Sequence, residues 1–460
     1  MSRVFWFRRD LRLQDNPALN QAIIGAREDG DSLVVPYYPV NLDDFNSLSG
    51  IRQHSLIESL NALSASLDRK LTHQHASKVN GQTIEGLTVS LAEASKAKVV
   101  HAARAFDPAG VEEQNRMGLA LKAAGVHLQL DGSYYAVPPG TILKGDGTPY
   151  KVYTPFFRAW FEKGWEAPHA LAEGGTWFEP VECHGRPVAT KEAPFKVAAG
   201  EAFALRTLNR FKEHGLFDYD EQRNRADLNG TSHLSHALAF GEIHPRTILA
   251  ELRDSTGHNV FRKEIAWREF YADVLWHNPH TQTDYYEPRY SKMRYDSGAE
   301  AEAKLEAWKQ GKTGFPMVDA GMRQLLAKGW IHNRVRMIVA SFLVKDLHLE
   351  WQQGAAWFEE NLSDFDPASN AHGWQWTAGS GTDASPYFRV FNPILQGYKF
   401  DPRGDYVRKY VPELRHILDS GVHEPWNRLD GLTEGYVAPI VDHAAERDEA
   451  LARLKELKSL

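Results

Sequence analysis

Five short apolar runs, 3–7 (RVFWF), 32–40 (SLVVPYYPV), 70–76 (KLTHQHA), 98–105 (KVVHAARA) and 126–132 (VHLQLDG), recur through the first 132 residues, with helical stretches from Pro17 and near 51–67, 85–96 and 111–124 between them. Strand and helix in alternation leave a chain few options. Parallel strands need long crossovers, and those crossovers then cover the faces of the sheet. The alternation ends near residue 132. From 133 to 200 the chain is rich in Gly and Pro with aromatic patches and no sustained period (VPPGTILKGDGTPYKVYTPFFRAW, EGGTWFEPVECHGRPVATKEAPF), which predicts a long connector on the surface of both domains. After 201 strand signals vanish and helical patterns follow one another, ending in the charged amphipathic DHAAERDEALARLKELKSL. The expected architecture is an α/β domain with a parallel sheet over 1–132, a connector over 133–200 and an all-α domain over 201–460. A chain of 460 residues is long enough for two cores.

Lys and Arg number 53 against 60 Asp and Glu, a net charge of −7, which argues against diffuse adhesion to nucleic acid and confines any polyanion site to a patch. Cys183 is the only cysteine. It excludes an internal disulfide and a thiolate cluster, so a reducing cytosol is the expected compartment and no metal set is expected. The N-terminus runs straight from RVFWF into charge and no window reaches the length of a membrane span, which predicts a soluble protein with neither signal peptide nor anchor.

Several motifs bear on chemistry. GKTG at 311–314 lacks the upstream glycine of a phosphate loop, with Glu306 in its place, and no G-x-G-x-x-G follows the first strand. Gly230-Thr231-Ser232-His233-Leu234-Ser235 precedes the apolar HALAFGEI, so its hydroxyls and free N–H groups suit an anion; an ordinary N-cap is the alternative. Glu264, Trp267, Arg268 and Tyr271 share one helix face, where a carboxylate, an indole and a guanidinium can bind a base edge, stack a ring and hold a phosphate. An ion pair beside a core Trp reads equally well. In WIHNRVRMIVASFLVK, Asn333 and Met337 line one wall, and no acidic residue lies between Lys328 and Lys345, giving a candidate DNA face or a solvated flank. The stretch 319–399 gathers Trp330, Trp351, Trp357, Trp374 and Trp376 with Asn333, Arg334, Arg336, Asp364, Asp366, Asn370 and Arg389, a mixture suited to a planar, polar-edged ligand.

RVFWFRRDLRLQDNPAL, PYKVYTPFFRAW, GTSHLSHALAFGEIHPR, EIAWREFY, TGFPMVDAGMRQLLAKGWIHNRVRMIVASFLVKDL and NAHGWQWTAGSGTDASPYFRVFNPILQG together resemble the photolyase/cryptochrome family, and most nearly its class I cyclobutane pyrimidine dimer photolyases. The resemblance implies a Rossmann-like N-terminal domain, a helical domain holding FAD, and light-driven splitting of pyrimidine dimers in DNA by a monomer in a bacterial-type cytosol. It also implies an optional antenna chromophore of folate or deazaflavin type, although PYYPVNLDDFNSLSGIRQ and AARAFDPAGVEEQ carry the pattern of neither. For the flavin it implies Tyr219, Thr231, Ser232 and Ser235 near the diphosphate, Arg336 paired with Asp364, Asp366 near the ribose or ring edge, and Asn370 facing N5. For the flipped dimer it implies Glu264, Trp267, Asn333, Met337 and Trp376, with Arg223, Arg334 and Arg389 on phosphates. Trp374 and Trp351 match the inner electron donors, with Tyr295 as the outer candidate. Asn370 and the Glu264/Trp267/Met337 set favour repair over a cryptochrome-like photoreceptor. A six-four photoproduct enzyme would need a pocket histidine, and His332 is expected to point away.

Overall fold

The computed structural model describes residues 2–180, 190–193, 197–383 and 389–459; Cys183 lies outside them. Strands β1 (Arg3–Trp6), β2 (Leu33–Asn41), β3 (Thr72–Ala76), β4 (Val99–Ala103) and β5 (His127–Asp131) form a parallel sheet in the order β3-β2-β1-β4-β5. Strand order reverses between β1 and β4, so a crevice opens beyond their carboxyl ends. The segment leaving β1 carries Arg8, Arg9 and Asp10 into this crevice. There the helical domain closes on it: Leu11 N–H donates to the Phe240 carbonyl (3.1 Å), Arg12 to the Gly241 carbonyl (3.0 Å), and Arg9 to Asp366 (2.6 Å).

The described part of the stretch 133–200 holds more regular structure than its composition predicts. It contains a helix, Tyr153–Lys163, and a sixth strand, β6 (Thr176–Trp177), which pairs in parallel with the first half of β2. Phe156 and Trp160 are buried, so this helix is part of a core and not a surface connector. Its period is masked in the sequence by aromatics on both faces, Phe161 being exposed. Buried Glu269 draws the preceding segment inward by accepting from the N–H groups of Ala136 and Val137 and from Trp160 Nε1 (2.6 Å). Those donors satisfy a carboxylate whose burial nevertheless pushes its pKa up to about 7.

Beyond residue 200 the described elements are helical, as expected. The Thr256–His277 helix buries Phe261, Ile265, Phe270 and Val274 and leaves Glu264 and Trp267 half-buried on another face. The Pro367–Ala378 helix packs on it, and the helices Asn333–Lys345 and Trp351–Asn361 pack in turn on Pro367–Ala378. GKTG has a structural account. Asp319 accepts from Thr313 N–H and Oγ1, Gly314 N–H and Tyr436 Oη, so the turn is fastened internally. The last helix, His443–Ser459, is pinned by His443 to Asp346, His348 to Glu446 (2.7 Å) and Arg453 to Asp296 (2.8 Å). No described helix is long and apolar enough to cross a membrane.

Candidate functional site

The Asn333–Lys345 and Pro367–Ala378 helices pack against each other, and polar groups on them and just before them form one side of the candidate site. Arg336 donates to Asp364 (2.7 Å) and to the Ile331 carbonyl (2.8 Å), leaving Asp364 Oδ1 buried and without a partner. Asn370 donates its amide N–H to the Ala355 carbonyl (3.1 Å), which fixes the side chain and leaves Oδ1 free of a donor. His332 Nδ1 accepts from Arg334 N–H (3.1 Å) and caps the Asn333–Lys345 helix, while its buried Nε2 has no partner. Buried polar groups left single are costly. Two acceptors in this state fit a ligand with a hydrogen-bonding edge, as a flavin has.

The hydroxyl cluster is placed differently from an N-cap. The helix that follows is only Ser235–Phe240, and no side chain caps it. Ser232 Oγ accepts from Leu234 N–H (3.3 Å), Ser235 Oγ from Trp330 Nε1 (3.1 Å), and Thr231 remains half-buried beside His233. Tyr219 is buried against Phe211 and Phe261 with the Arg223 guanidinium over its ring. Asp366 caps the Pro367–Ala378 helix by accepting from Ser369 N–H (2.8 Å) and pairs with Arg9, which with Arg268 holds its pKa far below the usual carboxylate range against the opposing effect of burial. Sequence patterning did not link Arg9 to Asp366, because 357 residues separate them.

On the second wall Glu264 accepts from Arg223 at 2.6 Å, and burial raises its pKa although Arg223 and Arg334 oppose the rise. Trp267 is stacked on Tyr153 (3.7 Å between centroids, 8° between planes), so one indole face is already covered. The Tyr153 hydroxyl donates to the Lys263 carbonyl (2.7 Å), fixing the pair to the same helix. Arg334 donates twice to Asn224 Oδ1 (3.1 and 2.7 Å) and lies over Phe400. Asn333 is exposed, Met337 and Trp376 are half-buried, and Arg389 is exposed, with its carbonyl accepting from buried Lys345. Arg268 departs from the expected stripe: its guanidinium donates to the carbonyls of Tyr134 and Leu238 (3.3 Å each) and stacks on Tyr135, so it serves the domain boundary and not a phosphate.

Behind the polar wall the aromatics are dry. Trp374 and Trp351 are buried; Trp374 meets Phe358 and Trp308 edge-on at 5.0 and 6.1 Å. A Cβ at Gly354 would lie 2.1 Å from Trp374 Cη2, so glycine there lets the indole lie on the Trp351–Asn361 helix one turn from Trp351. Tyr295 is half-buried against the same core, and burial pushes its phenol up to about 12.

Burial also holds several imidazoles neutral, depressing His101, His332 and His372 to about 4 and His244 to about 3. An unfolded histidine has a pKa of about 6.5, so the unfolded chain binds more protons between those values and stability falls as the pH is lowered through that window. Thermal melts are therefore expected to show a Tm that declines from about pH 6.5 toward about pH 4, and His332→Asn, which keeps a capping side chain, to flatten the decline.

A parallel α/β domain closed at its switch point by a helical domain, with open polar acceptors backed by buried indoles, suits a planar, polar-edged cofactor such as a flavin. Comparison with known proteins agrees: residues 3–173 match the family model for DNA photolyase, and 261–456 match that for the FAD binding domain of DNA photolyase. The deoxyribodipyrimidine photo-lyase of Agrobacterium fabrum (strain C58) is 37% identical over 488 residues, spanning 99% of this chain and 98% of the relative. A bacterial class III photolyase from Agrobacterium tumefaciens superposes with a TM-score of 0.86 at 36% identity, over 100% of this chain and 98% of that one. An archaeal photolyase from Sulfolobus tokodaii, solved with two FAD molecules, superposes with a TM-score of 0.85 at 27% identity, over 99% and 100% of the two chains. The chain belongs to the DNA photolyase family.

Proposed function

We propose that this chain is a light-driven deoxyribodipyrimidine photo-lyase that splits cyclobutane pyrimidine dimers in DNA. The observation that carries this reading is that Glu264, held by Arg223, and Trp267, backed by Tyr153, share one helix that packs on the helix bearing Asn370, and that Asn370 and nearby Asp364 keep open acceptors. The chemistry FAD would supply when bound and reduced is light-driven transfer of one electron to the dimer and its return after ring opening. The Arg336–Asp364 pair and Asn370 would hold the polar edge of the cofactor, Tyr219, Thr231, Ser232 and Ser235 its phosphates, and Asp366, fixed by Arg9, its ribose or ring edge.

A dimer inside a duplex must be turned out of the stack, and a damaged pair costs less to open. Trp267 and Trp376 clamp the extruded rings, Met337 and Asn333 shape the wall, and Glu264 binds the pyrimidine edge and holds a proton there as negative charge develops. Glu264 is suited to the proton-holding role because burial already favours its protonated form. Arg223, Arg334 and Arg389 meet phosphates of the flanking strand. Each such contact steepens the salt dependence of binding, so Arg334→Ala and Arg389→Ala are each expected to reduce the slope of log K against log salt by about 1. Unchanged slopes in titrations at several salt concentrations would remove this face from the account.

A second chromophore has a place at the switch point. Arg8 Nη1 and Tyr134 Oη are buried there without partners, and the Sulfolobus tokodaii relative was solved with two FAD molecules. The protein works as a monomer in the cytosol. The reading is tested by offering the reduced, FAD-loaded protein two oligonucleotides, one with a cyclobutane dimer and one with a six-four photoproduct. Light-dependent loss of the first lesion alone is expected, whereas repair of the six-four lesion alone would reassign the substrate.

A further inference from the structure

Trp351 sits in a dry pocket, 1% exposed, with its indole N–H lacking an acceptor. Tyr285, also buried, meets it edge-on, with 6.2 Å between ring centroids and 85° between planes. The Tyr285 hydroxyl donates to Glu350 Oε1 at 3.1 Å, and Glu350 is the residue that opens the Trp351–Asn361 helix. Glu350 is only half-buried, so a proton placed on it has a way to solvent. Tyr295 lies near enough for its phenol and that of Tyr285 to influence each other, and its loop is pinned by Arg453 to Asp296. At rest the Tyr285 phenol is protonated, because burial, Tyr295 and Glu350 all raise its pKa. A phenol gives up an electron readily only when its proton leaves with it. This group supplies a phenol, an adjacent indole and a carboxylate acceptor.

We propose that Tyr285 is the proton-coupled electron donor to oxidised Trp351, with Glu350 as its proton acceptor. The inference rests on reading Trp374 and Trp351 as donors, with photoexcited oxidised flavin as the oxidant. In the step itself, oxidised Trp351 takes one electron from Tyr285, the phenol O–H bond breaks and the proton bonds to Glu350 Oε1. The products are neutral Trp351, a neutral tyrosyl radical and a carboxylic acid. Coupling electron and proton loss makes return of the electron slower, which separates the charges for long enough to be used. Tyr295, the outer candidate from sequence alone, is a neighbour of the donor in this scheme and not the donor itself.

The test is transient absorption and electron paramagnetic resonance on the full-length protein loaded with oxidised FAD, pulsed with blue light in H2O and in D2O. A tyrosyl signal is expected to grow as the tryptophan radical decays, more slowly in D2O. Tyr285→Phe is expected to abolish that signal and prolong the tryptophan radical, and Tyr295→Phe to preserve it. Glu350→Gln, which keeps the shape but removes the acceptor, is expected to slow the transfer by about 10²-fold. A tyrosyl signal retained in Tyr285→Phe and lost in Tyr295→Phe would overturn the assignment, as would a tryptophan radical that decays without solvent isotope dependence. The isotope measurement requires no variant and stands even if Tyr285→Phe does not fold. Repair by chemically reduced wild-type protein from the same preparation separates the two levels: repair without a tyrosyl signal overturns this inference alone, and absence of repair overturns the reading beneath it.

Discussion

Glu264→Ala is expected to lower the preference for dimer-containing over undamaged DNA by about thirtyfold, equivalent to about 2 kcal/mol, the value of a hydrogen bond to a charged group. Two losses contribute. The pyrimidine edge loses its partner, and Arg223, which donates to Glu264 at 2.6 Å, is left half-buried without its carboxylate. The turnover of dimer that does bind falls as well, because no group then holds a proton where charge develops. Glu264→Gln keeps the acceptor oxygen and is expected to recover part of the binding but little of the turnover. Competition binding with matched oligonucleotides, followed by single-turnover repair, measures both. Equal affinity of Glu264→Ala for damaged and undamaged DNA would mean that this contact carries the whole discrimination, whereas an unchanged preference would remove Glu264 from the pocket.

Trp374→Phe is expected to abolish photoreduction of the bound flavin. An indole is readily oxidised and a phenyl ring is not, and Trp374 lies one helical turn from Asn370 on the helix that supplies the polar wall. The substitution keeps an aromatic ring against Phe358 and Trp308, so its stability cost is a modest one of about 1 kcal/mol and FAD content should be retained. Chemical reduction bypasses the missing donor. The measurement is the flavin absorption spectrum during continuous blue illumination with an external reductant present; bleaching of the oxidised bands at the wild-type rate would discard the indole route.

The two-layer plan of the chain was legible because period and length are local properties. Five strand signals became five strands of one parallel sheet, and the helical remainder became helices. The sixth strand was not legible, since two residues carry no period and β6 exists only because β2 offers it an edge. The Tyr153–Lys163 helix was hidden for a related reason: its buried face packs on the Thr256–His277 helix, more than ninety residues further along the chain. At the site, residue types were legible and partners were not. Arg336 with Asp364 was anticipated, but Arg9 on Asp366, Asn224 on Arg334 and Tyr153 on Trp267 are contacts between distant segments that no spacing encodes. Arg268 shows the converse error. Its place on the stripe was right, but Tyr134 and Leu238 bring carbonyls to its guanidinium and hold it at the domain boundary.

The central claim is that light drives ring splitting in this pocket. The most direct measurement is the return of intact thymines from a defined cyclobutane dimer in an oligonucleotide, using the reduced, FAD-loaded protein in parallel under near-ultraviolet to blue light and in darkness. The account predicts restoration in the illuminated sample and none in the dark. Equal yields in both, or an intact lesion in the light despite bound and reducible FAD, would contradict it.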